Sequence, residues 1–304
     1  MSNVRVSVFM PVYNGERYLA EAVQSVLDQS YRDLEFVAVD DGSTDGSAKI
    51  LKSFADRDAR VRFVSRPNKG AAAASNEALS MCVGEFVARL DADDVCIPGR
   101  IQKQVDFLDA HPDHVLIGSR TLMIDDEGLP IGDMAWIDHG HDTINRALLY
   151  GGWPVIHSSV MMRKAAIETV GGYLDYFPYE DQHLFLRLSE IGQIDNLPEM
   201  LVKYRRHAES ALGKARNTMP IRDFVMKEAR QRRGLPDTPP GTENNPSQPA
   251  KPAAKSIWQS REWAWTALRH KHVRTARKYA WRALREQPTS KAAWKLMYCA
   301  LRGR

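Results

Sequence analysis

The sequence predicts an α/β fold, a mostly parallel sheet with helices on both faces, and three observations carry that prediction. Apolar, β-branched runs of strand length alternate with stretches of helical period through the first third of the chain. Each run ends in a turn rich in Gly, Asn or Asp. Three of those ends carry polar clusters, Tyr13-Asn14, Asp40-Asp41 and Asp91-Ala92-Asp93. Ligands of open α/β sheets bind outside the carboxyl ends of the strands, so the clusters mark one candidate site.

The elements follow in order. Val4 to Val12 alternates and then runs apolar, as a first and central strand does. Tyr13-Asn14-Gly15 is a turn, and Leu19, Val23, Val26 and Leu27 give Glu16 to Gln29 a helical face. Leu34 to Val39 is the second strand, and Ser43, Thr44 or Asp45 can cap the helix containing Ile50, Leu51 and Phe54. Val61 to Ser65 is a third strand, Asn68-Lys69-Gly70 a turn, and the Ala-rich run Ala71 to Met81 a helix. A fourth strand starts at Phe86 and runs into Asp91-Ala92-Asp93-Asp94. This β-α-β-α-β-α-β order requires parallel pairing with helical crossovers.

Successive strand side chains point to opposite faces, so at the end of this strand Asp91 and Asp93 project the same way, one residue apart. Two carboxylates that close raise each other's pKa unless a cation lies between them. Hard oxygen ligands of this kind suit Mg²⁺ or Mn²⁺ held jointly with substrate phosphates. The plainer reading is a solvated acidic loop; the position at a strand end favours the ligand reading.

Beyond Asp94 the pattern predicts a helix over Arg100 to Leu108, a strand over Val115 to Ser119 and a turn at Asp125-Asp126-Glu127-Gly128. A helix within His139 to Leu149, a strand over Pro154 to Arg163 and a helix ending at Gly171-Gly172-Tyr173 follow. Tyr179-Glu180-Asp181-Gln182-His183 leads into an amphipathic helix, and Leu201 to His207 is a strand running into a basic loop.

Pro11-Val12-Tyr13-Asn14-Gly15, Val39-Asp40-Asp41-Gly42-Ser43-Thr44-Asp45, Asn68-Lys69-Gly70 and Leu90-Asp91-Ala92-Asp93-Asp94, in this order and spacing, resemble glycosyltransferase family 2. The resemblance covers roughly residues 4–210. It implies a GT-A fold and inverting, metal-dependent transfer from a nucleotide-sugar, a UDP-sugar first, to the hydroxyl of a saccharide or lipid-linked acceptor in surface polysaccharide or glycoconjugate synthesis. It also assigns roles. Pro11, Val12 and Tyr13 border the nucleoside, and Asp41 accepts a hydrogen bond from the base. Asp91 and Ala92 face the ribose and sugar, Lys69 supplies positive charge, and Asp93 and His207 serve the Mn²⁺ or Mg²⁺ ion. Asp181 is the catalytic base, with Glu180 and His157 on the acceptor side. A base is needed because a sugar hydroxyl is a poor nucleophile, and removing its proton as the bond forms contributes typically ~10²–10⁴-fold. Each assignment has a structural alternative: turn and cap chemistry for Asp40 and Asp45, dipole complementarity for Glu180-Asp181, core packing for His157, and solvated charge for Lys69 and for Arg205-Arg206-His207. One departure stands out: Ser75-Asn76 occupies the place where many relatives carry Arg-Asn.

With 43% apolar and 26% charged residues the composition is that of a soluble globular protein. Met1 to Arg5 lacks the apolar core of a signal peptide, which predicts a cytoplasmic protein. Cys82, Cys96 and Cys299 lie far apart and read as reduced, unpaired thiols. The charge is uneven: residues 1–255 hold 30 Lys+Arg against 36 Asp+Glu, residues 256–304 hold 12 against 2. Three regions follow: a transferase domain over 1–235, a Pro-rich linker over 236–255, and a basic helical tail over 256–304 with five of the seven Trp. The tail should break near His270 and at Pro288-Thr289-Ser290, and its Ala spacing loosely fits a single tetratricopeptide repeat. Its partners read as an anionic membrane surface at the inner face of the membrane or another copy of the chain; no motif supports nucleic acid. Two rivals remain for the whole chain. A nucleotidyltransferase needs a Gly-rich basic triphosphate loop after the first strand, which Tyr13-Asn14-Gly15-Glu16 does not provide. A non-catalytic nucleotide-sugar-binding scaffold would act through the tail.

Overall fold

In the computed structural model, strand β1 (Val6–Val12) lies inside the sheet because nearly all its side chains are buried. The structure describes residues 4–134, 139–207, 219–237 and 257–303. It divides into two compact units, one of Met1–Thr121, Trp136–Tyr204 and Glu209–Pro239, the other of Leu122–Ala135, Arg205–Ala208 and Pro240–Arg304.

In the first unit β1 pairs in parallel with β2 (Leu34–Asp40) on one side and β4 (Phe86–Arg89) on the other, and β2 pairs with β3 (Val61–Ser65). The helices α1 (Glu16–Leu27), α2 (Ser47–Ala55) and α3 (Ala71–Met81) are the crossovers that parallel neighbours require. Strand period separates two cores. Val8, Met10 and Phe36 pack on one face with Leu19 and Val23 of α1, while Phe9, Val37 and Val87 pack on the other with Ala74 and Ala78 of α3.

Past β4 the sheet is mixed. Its order is β3-β2-β1-β4-β8-β6-β9-β5 with β7 beside β6, and β8 (Met161–Arg163) runs antiparallel to both β4 and β6 (His114–Ile124). The short β5 (Val95–Cys96) is antiparallel to β9 (Gln193–Arg205). Helices α4 (Arg100–Ala110), α5 (His141–Leu149), α6 (Lys164–Thr169) and α7 (Glu180–Leu188) accompany this half. The strand expected over Pro154 to Arg163 is confined to its last three residues, and His157–Ser159 is a 3₁₀ turn. The cause is local. Ser159 Oγ donates to the carbonyl of Ile156 at 2.8 Å and accepts from the backbone of Ser119 at 3.2 Å, drawing the chain out of the ladder. Helix α8 (Met219–Arg232), burying Val225, Met226 and Ala229, was not foreseen.

The second unit joins the end of β6, from Leu122, and its hairpin partner β7 (Pro130–Asp133) with α9 (Ile257–Arg269), α10 (Val273–Glu286) and α11 (Lys291–Arg302). The helices break where the sequence predicts, and Ser290 caps α11 by accepting from Ala293 N at 3.4 Å. Small residues line the helix contacts, among them Ala264, Ala276, Ala280, Ala293 and Ala300. The turn's Asp125 is fully buried and accepts from Lys278 Nζ at 2.7 Å, Tyr279 Oη at 3.0 Å, and the amides of Glu127 and Leu129 at 3.0 and 2.8 Å. Most of the expected 236–255 linker, from residue 238 on, lies outside the described residues.

Candidate active site

Because β2, β1 and β4 are neighbours, the loops after them open along one edge of the first unit. The first two loops are laced together. Asn14 donates from its backbone to Ser43 Oγ (2.9 Å) and accepts from Thr44 N (2.8 Å). Asp45 accepts from Glu16 N at 3.0 Å, Glu16 returns the bond to Gly46 N at 2.9 Å, and Ser47 Oγ accepts from Gly15 N at 2.9 Å. Each loop therefore caps the other's helix, α1 or α2. Asp40 accepts from Ser65 Oγ and the backbone of Ser43, at 2.5 and 3.2 Å. Beside this frame Val12 is buried, Pro11 is half-buried, and Tyr13 is 57% exposed.

Asp41 is buried, and its two carboxylate oxygens accept from Arg66 and from the backbone of Lys69 and Gly70, the latter two at 2.9 Å. The carboxylate thus holds the Asn68-Lys69-Gly70 turn in place. Gly42 makes that approach possible: its φ is +75°, and a Cβ there would meet Asn68 N at 2.7 Å. The Lys69 side chain is exposed.

The acidic end of β4 departs from the sequence reading. The strand stops at Arg89, and Asp91 to Asp94 form a turn closed by Asp94 N to Asp91 O at 3.1 Å. Asp91 and Asp93 are therefore not alternate residues of one strand, since a buried strand cannot carry a row of unpaired carboxylates. Asp91 pairs instead with Arg89, whose Nε lies 2.8 Å from Asp91 Oδ1. The Arg89 guanidinium is itself buried, donates to Ser75 Oγ at 2.9 Å, and lies 5.3 Å from the Phe9 ring centre. Ser158 Oγ accepts from Asp91 N at 3.0 Å. Burial pushes the Asp91 carboxyl up, but the charge of Arg89 and the bonds it receives leave it below the ordinary carboxylate range. Asp93 and Ala92 are half-buried on the turn.

The opposite acids come from the start of α7. Asp181 accepts from Gln182 N at 2.7 Å, and burial together with neighbouring Glu180 and then Asp91 pushes its pKa up to about 7. Glu180 is raised by burial too, and its Oε2 is shielded from solvent without a hydrogen-bond partner. His157 Nε2 lies 2.7 Å from Tyr173 Oη, and its ring meets that of Phe185 edge-on at 5.8 Å. Burial and the charge of Arg89 push the imidazole down to about 3, so it is neutral at working pH. Asn76 exchanges two 2.8 Å hydrogen bonds with the Tyr173 backbone, and Gly172 (φ +72°) leaves room for it: a Cβ would lie 2.6 Å from Asn76 Oδ1.

Asp91, His157, Glu180 and Asp181 thus share one electrostatic neighbourhood in the first unit. His207 belongs to the second unit. Sequence reasoning missed Arg89, Tyr173 and Ser158. The signal for Arg89 was present: a lone cation in an apolar strand, two residues before Asp91. Among the described residues no three His, Cys, Asp or Glu side chains converge as a ready-made metal cage. Half-buried Asp93 fits a cation that takes most of its ligands from phosphate and water, as Mg²⁺ and Mn²⁺ commonly do.

Comparison with known proteins shows the family and the fold. Residues 7–171 match the glycosyl transferase family 2, and the chain belongs to that family. It is 30% identical over 234 residues to the O-antigen biosynthesis glycosyltransferase WbnJ of Escherichia coli, covering 76% of this chain and 91% of WbnJ. Two solved structures share its fold. S. aureus TarS 1-349 in complex with UDP-GlcNAc superposes with a TM-score of 0.56 at 15% identity, covering 99% of this chain and 92% of that one. The mannosyltransferase PcManGT of Pyrobaculum calidifontis, in complex with GDP-Man and Mn²⁺, gives 0.54 at 18%, covering 98% and 79%. The protein is a glycosyltransferase of GT-A fold.

Proposed function

We propose that the chain transfers a sugar from a UDP-sugar to an acceptor hydroxyl with inversion, in the synthesis of a surface polysaccharide or glycoconjugate, and that Asp181 is the base. One observation carries the reading: a carboxyl at the start of α7 whose pKa is pushed up to about 7, near Asp91 and its counter-ion Arg89. A carboxylate with that affinity holds a proton more tightly than an ordinary one and is ionised, ready to accept it, from about neutral pH upward. Asp181 removes the acceptor's hydroxyl proton, the acceptor oxygen bonds to the anomeric carbon, and the bond to the diphosphate breaks on the opposite face. The electron pair leaves with the nucleotide.

Val12, Tyr13 and Pro11 border the nucleoside, and Asp41 positions the Lys69 turn while offering its remaining lone pair to the base. Asp91, held ionised by Arg89, orients the sugar with Ala92 beside it. Glu180 and the neutral imidazole of His157 receive the acceptor. Asp93 would hold Mn²⁺ or Mg²⁺ with the donor's phosphates, and such an ion offsets charge on the leaving diphosphate. WbnJ supports the polysaccharide setting and the UDP-GlcNAc complex of TarS supports the donor class.

The test is a panel of nucleotide-sugars assayed for UDP release with and without Mn²⁺, alongside calorimetry with UDP. Donor binding retained in Asp181→Asn with turnover abolished is the expected pair of results. Near-normal turnover in that variant would overturn the assignment, and UDP binding without any turnover in the wild type would favour a scaffold.

A further inference from the structure

We propose that the outer face of α10 and α11 binds an anionic phospholipid bilayer. Trp294, Tyr298 and Leu301 follow one another at i, i+4 and i+7 on α11, exposed by 57, 55 and 60%. Trp281 on α10 is 57% exposed. One turn before it, Arg277 donates to the carbonyls of Ala300 and Leu301 at 3.1 and 2.9 Å, which sets that flank of α10 against the end of α11. These rings are not leftovers of the core. Trp263, from the same unit, packs edge-on against Tyr279 at 4.9 Å, whereas Trp281 and Trp294 turn outward. The indole N–H of Trp294 already donates to Pro288 O at 2.8 Å, so the rest of its exposed surface is apolar.

Charge decides the occupant. Residues 273–302 hold eight Lys and Arg and one acid, Glu286, and Arg282 already pairs with it. Lys291 and Lys295 are exposed with no acidic partner among the described residues, and Arg302 lies 4.4 Å from the Tyr298 ring centre. A second copy meeting this face by two-fold symmetry would set like charges against one another. An anionic lipid surface meets both halves of the pattern, apolar rings for the acyl boundary and cations for the headgroups. Among the described residues no helix is long and apolar enough to cross a membrane, so such a contact is peripheral.

Full-length protein sedimented with vesicles of phosphatidylcholine, alone or mixed with phosphatidylglycerol, across a salt series tests this. Binding should require phosphatidylglycerol, fall as salt rises, and weaken about 5-fold with each of Lys291→Gln and Lys295→Gln. The double variant Trp281→Ala, Trp294→Ala should lose binding while its circular dichroism melt stays that of the wild type. Absence of sedimentation with anionic vesicles at low salt overturns the proposal, as does full binding by the Trp variant. A dimer in light scattering that this variant abolishes, without vesicle binding, assigns the face to a second copy instead.

Discussion

Two regions withdraw carboxylates from water, Asp125 fully and Asp181 in part, and they resolve the cost in opposite ways. Asp125, in the second unit, receives four hydrogen bonds, from Lys278, Tyr279 and two backbone amides. Burial pushes its pKa up, but the Lys278 and Leu129 bonds bring it below the ordinary range. Asp181 receives one backbone bond from Gln182 and faces Glu180, whose Oε2 has no partner. A saturated carboxylate has no capacity left for a proton or a ligand, and it fastens a hairpin to helices. An undersupplied one keeps that capacity, and its setting is costly to the fold.

The largest effect should come from the saturated cluster. Asp125→Ala leaves Tyr279 and the amides of Glu127 and Leu129 without their acceptor, and Lys278 with Glu127 at 3.0 Å. It should cost about 3–5 kcal/mol in denaturant unfolding, as breaking a buried network does. Because the folded pKa of Asp125 is depressed, its stabilisation is present above the unfolded carboxylate pKa and is lost as pH falls through the lower folded value. A titration of stability across the acid range checks the direction; a melt that ignores pH there would show the cluster to be inert.

Next in size, Asp181→Asn should lower kcat ~100-fold or more with donor KM little changed. The wild type should gain kcat/KM about tenfold per pH unit on the acid side and level off above about 7, where Asp181 is ionised. Arg89 lowers the Asp181 pKa through its charge, so Arg89→Gln should carry that break to higher pH. An unmoved break would place the titrating base elsewhere.

The smallest effect is a gain. A folded pKa above the unfolded one means stability is present at low pH and lost as pH rises through about 7. Asp181→Asn removes that loss and should stabilise the protein by about 0.5–2 kcal/mol at pH 8 and little at pH 4. Equal melts for the two proteins at pH 8 would deny the charge its cost.

The parallel half of the sheet was legible because its strands are buried on both faces and its helices keep a clean period. Leu19, Val23, Val26 and Leu27 all lie in the core as their spacing requires. The later half was less so. Ser158 and Ser159 spend their hydroxyls on backbone groups far away in sequence, and no local propensity reports that. The tail's Trp residues could be counted but not sorted, since only packing separates Trp263 from Trp281 and Trp294. In the site the motif positions were readable, whereas the Arg89–Asp91 pair that neutralises one of them follows from where β4 ends.

The reciprocal caps between the loops after β1 and β2 bear on the thermodynamics of recognition. Those bonds run between two loops rather than within either, so neither can be displaced without breaking the other's helix start. On the proposed assignment, the nucleoside end of the site therefore meets its ligand with its ordering entropy already settled by folding. Affinity there is spent on contacts rather than on loop closure, and amide exchange in Tyr13 to Ser47 should be slow before any nucleotide is added.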